Sequence, residues 1–382
     1  MRKEKIAVFG GSFHPVHNGH LALAKHAMQS LRLDRVLFTV DRIPPHKTLA
    51  EGATDEQRVD MLTLATQDEP RFAIETMELY REGKSYTVDT LRELHERMPN
   101  ASFYFLMGTD MLLSFTSWRS PEEIAKLAKL VCTVRQGQNG GEEQAAKDLK
   151  ERYGADVILL PEVSPLSSTE VRARIADAAP ITGLVPPAEE HYIYLNGCYM
   201  PDAFAPMYER LHRELSPHRI EHTAYVIETA IALAQRFGAD AKQARLAALL
   251  HDCGKYLSTE QLLAYADTEP PILPVLHAFA GADYARGVYG VTDEQVLRAI
   301  RLHTTGDAQM SLLDKVVYLA DMIEPSRAYE GVEQIRQAET IDDMMRLALS
   351  RSLWYIKKRN GDVHPATLRA IADLGGIDGT IR

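Results

Sequence analysis

Cysteine is scarce in this chain. Of 382 residues only three, Cys132, Cys198 and Cys253, are cysteine, an odd number with no CxxC pair. That excludes a disulfide framework and predicts a reducing compartment. Positive charge is in deficit as well. The 43 Lys and Arg face 53 Asp and Glu, a net charge of −10, so the broad basic surface that non-specific nucleic-acid binding requires is missing. No run approaches the ~20 apolar residues of a membrane helix, and the apolar run near the first residue is too short for a signal peptide. The expectation is a cytoplasmic protein with neither nucleic-acid nor membrane partners. Small phosphorylated ligands remain, because a few local cations and helix ends suffice to bind them.

What is present is an ordinary globular balance, 45% apolar and 25% charged, at a length that predicts two domains. The first half alternates. "KIAVFGG", "DRVLFTV", "FAIETMEL", "SFYFLMG", "VCTVRQ" and "ADVILLP" read as strands. "HLALAKHAMQSL", "DEQRVDMLTLATQ", "TVDTLRELHERM", "PEEIAKLAKL" and "STEVRARIAD" read as helices. Strands separated by helices predict an α/β doubly wound parallel sheet, covered on both faces. "QGQNGGEEQ" (136–144) reads as a polar surface loop. Beyond residue 200 the pattern is helical throughout, as in "RIEHTAYVIETAIALAQRF" and "LLDKVVYLADMI", so an all-α domain follows. Gly197, Pro201 and Pro206 interrupt both patterns. The expected boundaries are 1–196, a linker at 197–206, and 207–382.

"AVFGGSFHPVHNGHLALAKHAMQ" carries His14, His17 and His20 between a strand and a helix. Gly10 and Gly11 let the backbone turn sharply and approach a ligand. The helix that follows aims its unpaired N–H groups beyond the strand end, where ligands of open α/β sheets bind. Imidazoles at His17 and His20 could donate to phosphate oxygens there. Two other readings stand beside this one: a glycine turn with surface histidines, and a zinc pair, for which no neighbouring cysteine or carboxylate completes the shell.

"GGSFHPVHNGH" resembles the signature of the HxGH nucleotidyltransferase superfamily, and more narrowly of bacterial nicotinate-nucleotide adenylyltransferases. "PPHK", "SYTVDTL", "GTDMLLSFTSW" and "LSSTEVR" fit the same family. The resemblance implies a Rossmann-like domain over 1–196 that joins ATP to nicotinate mononucleotide, giving deamido-NAD and pyrophosphate, with Mg²⁺ carried by the ATP. It implies that His17, His20, Lys47 and Arg172 handle phosphates and that Gly10, Gly11, Ser12, Phe13 and Gly108 line the nucleotide site. Thr87 would meet the pyridine carboxylate, Asp110, in a loop after a strand, a ribose hydroxyl, and Trp118 the pyridine ring. Ser167, Ser168 and Thr169 would meet the ATP phosphates. Ser167 with Glu170 is equally a helix capping box, and Trp118 by default a core residue. His14 departs from the pattern, since the family commonly has aspartate there. Another acceptor, nicotinamide mononucleotide or a pantetheine phosphate, keeps the reaction and changes the substrate.

The second half holds His222, His251, Asp252, His277, His303 and Asp321 on helical segments. A lone histidine on an apolar helix is usually core. Six residues in the order H…HD…H…H…D suit a two-metal site, and the nitrogen ligands favour Fe, Mn or another transition metal. "LLHDCGK", "LHAFAGA", "RLHTTG" and "LADMIEPSR" resemble the HD-domain symmetrical dinucleoside tetraphosphatases. That resemblance implies one metal on His222, His251, Asp252 and Asp321 and a second on His277 and His303, with Asp252 bridging. It also implies metal-assisted attack of water on diadenosine tetraphosphate, yielding two ADP. Lys255 and Arg327 are candidate phosphate contacts, Cys253 a packing residue. The competing reading is a non-catalytic nucleotide sensor, and a homo-oligomer is left open.

Overall fold

The first half folds around one sheet whose strand order is read from a computed structural model describing residues 2–44, 51–134, 141–161 and 164–376. Its strands are β1 (Glu4–Gly11), β2 (Arg35–Val40), β3 (Phe72–Glu75), β4 (Ala101–Gly108), β5 (Ala128–Val134) and β6 (Val157–Pro161). They lie in the order β3-β2-β1-β4-β5-β6, and every adjacent pair is parallel. This is the doubly wound α/β arrangement expected, with its switch point between the carboxyl ends of β1 and β4.

Both faces of the sheet are buried, as continuous apolar strands require. Alternate side chains of β1 part to opposite sides. Ile6 and Val8 join Val88, Leu91 and Leu94 of the helix Thr87–Arg97. Ala7 and Phe9 join Ala24 and Met28 of the helix Asn18–Leu31.

Three local expectations are corrected. The strand in "FAIETMEL" ends at Glu75 and a 3-10 turn, Met77–Tyr80, follows. The helix in "PEEIAKLAKL" stops at Leu127, because Ala128–Val134 pairs with β4 and β6 and that ladder overrides helix propensity. The polar loop gives way to a helix at Glu142–Tyr153, while residues 135–140 lie outside the described ones.

The chain divides into two compact units, Met1–Ala173 with Ile181–Tyr192, and Arg174–Pro180 with Ile193–Arg382. Residues 197–206, expected as a linker, fall in the second unit, where Cys198 and Tyr199 are buried and a helix begins at Ala205. Among its described residues every regular element of the second unit is helical. The long helix Pro217–Phe237 packs on Ala241–Leu250 and on Leu312–Ile323, and Glu294–Leu302 packs on Leu273–Val288. No described helix is long and apolar enough to cross a membrane.

One buried cation fastens the loop after β1. Arg58, on the helix Asp55–Thr66, has no exposed side-chain surface. It donates to the Ser12 carbonyl at 2.5 Å and the Asp41 carbonyl at 2.7 Å, and pairs with Asp55 at 2.8 Å. Arg58→Met strands two carbonyls and should cost about 2–4 kcal/mol. Denaturant unfolding monitored on the first unit checks this; an unchanged midpoint would contradict the role.

Candidate functional site

A cleft of ≈ 1140 Å³ lies beyond the ends of β1 and β4. Gly10, Gly11, Ser12, Phe13, His14, His17 and His20 line it from the first loop and helix. Thr87 lines it from the start of its helix, and Gly108, Asp110 and Trp118 from the segment after β4. Ser167, Ser168, Thr169 and Arg172 line it around the start of the helix Ser168–Ala176. One cleft thus gathers residues from four separated sequence segments. Lys47 lies outside the described residues.

His17 is the N-cap of the helix Asn18–Leu31. Its Nδ1 accepts the His20 N–H at 3.3 Å, and the His20 Nδ1 accepts the His17 N–H at 3.2 Å. A ring nitrogen that accepts carries no proton, so each neutral imidazole keeps its proton on Nε2. The rings stack with centroids 3.7 Å apart. Burial pushes His17 down to about 4, so it is neutral at pH 7. Gly19 is needed for this pose, since a Cβ there would stand 2.9 Å from His17 Nδ1.

The loop is tied at several points besides Arg58. Asn18 reaches the Gly183 and Leu184 carbonyls, both at 2.8 Å. Ser168 donates to the Pro15 carbonyl at 2.8 Å and Arg172 to the His14 carbonyl at 2.6 Å. Arg172 therefore has one arm on the loop and another on Thr169, at 3.2 Å. Ser167 accepts the Glu170 N–H at 3.2 Å, which is the helix cap the sequence suggested. His14 is buried, and desolvation, reinforced by Arg58 and Arg172, lowers it to about 4. Neutral imidazole suits a position between two guanidinium groups.

Trp118 is only 9% exposed and meets Phe105 and Phe115 with ring centroids 5.9 and 5.3 Å away. It is core and cleft wall at once. Asp110 is exposed in the first turn of a short helix, Thr109–Leu113, rather than in a loop. Glu78, which sequence reasoning missed, is buried in the cleft wall, pushed up by burial, and accepts from Thr90 at 2.6 Å.

In the second unit five helical segments converge. The donor atoms of His222, His251 and Asp321 lie within 4.8 Å of one another, as do those of His251, Asp252 and His303. The two groups share His251, whereas the resemblance implied sharing through Asp252. His277 joins through Nε2, 3.2 Å from Asp252 Oδ1. Gly254 makes this approach possible: a Cβ there would come within 2.7 Å of the His277 carbonyl.

Here the tautomers are reversed. Nδ1 of His251 faces the Ala248 carbonyl and Nδ1 of His303 the Ile300 carbonyl, both at 2.7 Å. Carbonyls only accept, so Nδ1 carries the proton and Nε2 keeps its lone pair. His222 differs: its Nδ1 lies 3.2 Å from Glu324 Oε1 and its Nε2 3.0 Å from Asp321 Oδ1, and although burial opposes protonation these two carboxylates raise its pKa. The buried Nε2 of His251 makes no hydrogen bond, the orphaned lone pair that a metal would satisfy. Burial pushes Asp252 up, but His251, His277 and His303 outweigh it and hold the carboxyl well below the usual range. Burial likewise opposes ionisation of Asp321, and its bond to His222 prevails. Ionised carboxylates beside imidazole lone pairs fit a transition metal.

Cations close the set. Arg327 meets Asp321 Oδ1 at 2.6 Å, and Lys255 stands 3.9 Å from Asp252 Oδ1 and 3.2 Å from His277 Nε2. Arg219, absent from the sequence reading, meets Asp252 Oδ2 at 2.7 Å. Its signal was available: it lies one helical turn before His222, on the same face. Cys253 is buried against the Gly281 carbonyl at 3.3 Å, and burial raises its thiol, so it packs.

Two family descriptions match the chain, Cytidylyltransferase-like over residues 8–174 and HD domain over residues 219–326. A protein of Synechococcus sp. (strain JA-2-3B'a(2-13)) named "Probable nicotinate-nucleotide adenylyltransferase" is 38% identical over 201 residues, 52% of this chain and 99% of that one. A Mycoplasma genitalium protein named "Probable nicotinate-nucleotide adenylyltransferase/Ap4A hydrolase" is 29% identical over 360 residues, 91% of this chain and 94% of that one. A crystal structure of a "predicted HD superfamily hydrolase involved in NAD metabolism" from Clostridium acetobutylicum is 32% identical. It covers 44% of this chain and 93% of that one, with a TM-score of 0.42. The chain belongs to the nicotinate-nucleotide adenylyltransferase family and carries an HD domain behind the transferase.

Proposed function

We propose that the chain is a bifunctional enzyme with a separate reaction in each unit. In the first, the phosphate of nicotinate mononucleotide attacks the α-phosphorus of ATP in line. The new P–O bond gives deamido-NAD, and pyrophosphate leaves with the bridging oxygen. No protein nucleophile is needed, so the residues act by alignment and charge. The observation that carries this reading is the capped pair His17 and His20, each with Nδ1 on a backbone N–H at the helix start, so that the proton of each ring sits on Nε2. Those donors, with the helix N-terminus, would meet the charge that develops on the phosphoryl oxygens. Arg172 adds a fixed positive charge, Trp118 a face for the pyridine ring, and Thr87 and Asp110 polar contacts to acid and ribose. Mg²⁺ would arrive with ATP.

In the second unit, His222, His251, Asp252, His277, His303 and Asp321 would hold one or two divalent transition-metal ions. Such ions supply Lewis acidity and a source of nucleophilic water for phosphate hydrolysis. The chain's own part is to hold Nδ1–H of His251 and His303 on backbone carbonyls so that Nε2 faces the ions, hold Asp252 and Asp321 ionised, and offer Lys255 and Arg327 to substrate phosphates. Diadenosine tetraphosphate, cut to two ADP, is the substrate this reading names.

His20→Ala should lower kcat for deamido-NAD formation by about 10²–10³-fold, the loss expected for one transition-state donor, with hydrolysis in the second unit untouched. Chromatography of both products checks this, and a transferase rate within threefold of the parent would contradict it. Because His17 is already neutral down to about pH 4, its protonation should leave no step near pH 6.5 in the transferase kcat profile. Asp252→Ala should abolish hydrolysis and bound metal together while adenylyl transfer continues. Retained hydrolysis in metal-depleted protein would sink the second assignment.

A further inference from the structure

We infer that Arg219 is a positioning residue of the metal site, orienting Asp252 for the ions. The inference rests on the reading of the histidine and aspartate set as a metal site. Four observations carry it.

First, Arg219 Nη1 meets Asp252 Oδ2 at 2.7 Å, and the Asp252 side chain is only 4% exposed. The two carboxylate oxygens are thereby distinguished. Oδ2 takes the guanidinium and also lies 3.5 Å from His251 Nε2, while Oδ1 turns to Nε2 of His277 at 3.2 Å and of His303 at 3.7 Å. A buried carboxylate held at one oxygen cannot rotate freely, so both oxygens keep their directions toward the candidate ligands, Oδ2 toward His251 and Oδ1 toward His277 and His303.

Second, Arg219 runs against its local electrostatics. It sits in the first turn of the helix Pro217–Phe237, where Ser216 caps the backbone N–H of Arg219 itself. The positive end of a helix disfavours a cation. The Asp252 carboxylate offsets that penalty.

Third, the same helix start is latched to the segment after Asp252 by a second bond, Ser216 Oγ to Tyr256 OH at 2.9 Å. Two ties across the same pair of segments fix the approach of Asp252 to the helix that also carries His222, one turn on from Arg219.

Fourth, Arg219 Nε is buried and makes no hydrogen bond. A side chain kept there with a donor unsatisfied is held by its bond to Asp252, since its packing alone would not demand a guanidinium.

Two physical effects predict opposite signs for removing Arg219. Simple charge competition would make the variant bind metal more tightly, because a cation has gone. Loss of orientation would make it bind more weakly, by the about 10–100-fold seen when a partner behind a metal ligand is lost. The inference takes the second sign.

The test measures Mn²⁺ affinity of the full chain, with free ion followed by electron paramagnetic resonance, for the parent, Arg219→Met and Arg219→Lys. Metal-free thermal unfolding is run on all three. The expected result is about 10–100-fold weaker binding for Arg219→Met. Arg219→Lys should recover part of it, because an ammonium can still donate to Oδ2. The metal-free midpoint of Arg219→Lys should stay near the parent's, which keeps the comparison valid even where Arg219→Met folds poorly. Equal or tighter binding in Arg219→Met overturns the inference while leaving the metal site standing. If the parent itself binds no Mn²⁺ and no other divalent transition metal, the metal-site reading and this inference fall together.

Discussion

Where the proton sits on a histidine ring is decided by the backbone, and in both units that decision sets what the site can do. His17 and His20 each accept a backbone N–H on Nδ1, so Nε2 is left as a donor. His251 and His303 each give Nδ1–H to a carbonyl three residues back, so Nε2 is left as a lone pair. One residue type is thus presented in two forms, with Nε2 as an N–H donor in one unit and as a lone pair in the other. The difference is one of position on the helix. At its start the unpaired groups are N–H, and at its end they are C=O. The first pair lies at the N-terminus of Asn18–Leu31, and the second pair are the C-caps of Ala241–Leu250 and Glu294–Leu302.

The surroundings serve that choice. Gly19 leaves room for the His17 ring to fold back on its own helix, and Gly254 lets the His277 helix close on Asp252. Arg58, Ser168 and Arg172 hold the loop from Ser12 to Pro15 by its carbonyls, so the histidine pair is presented from a braced turn. Charge is arranged with equal economy in the second unit, where each inward carboxylate has a guanidinium on it, Arg219 for Asp252 and Arg327 for Asp321.

Much of this was legible in the sequence, and the limits have physical causes. The doubly wound sheet follows from apolar strands alternating with helices, and the motif residues of the described first-unit segments do line one cleft. Local periodicity failed where pairing decided the outcome. Ala128–Leu130 continues a helical pattern yet joins β5 because it is in register with β4, with β6 pairing from Leu130 onward. Struts were harder to see than ligands. Arg58 sits on the same helical face as Met61 and Leu62, and Arg219 on that of His222, but an arginine on an otherwise buried face looks like a surface residue until its partners are known. Which nitrogen of each ring is protonated is invisible to spacing, because it depends on a backbone group within one turn and on its direction.

The central claim is therefore about tautomers, and nitrogen NMR of histidine rings reads it directly. In metal-free protein labelled with ¹⁵N-histidine at neutral pH, two-bond ring correlations should assign His17 and His20 as Nε2–H forms. His251 and His303 should be Nδ1–H forms. Finding the same tautomer in both sets, or the two exchanged, would contradict the account.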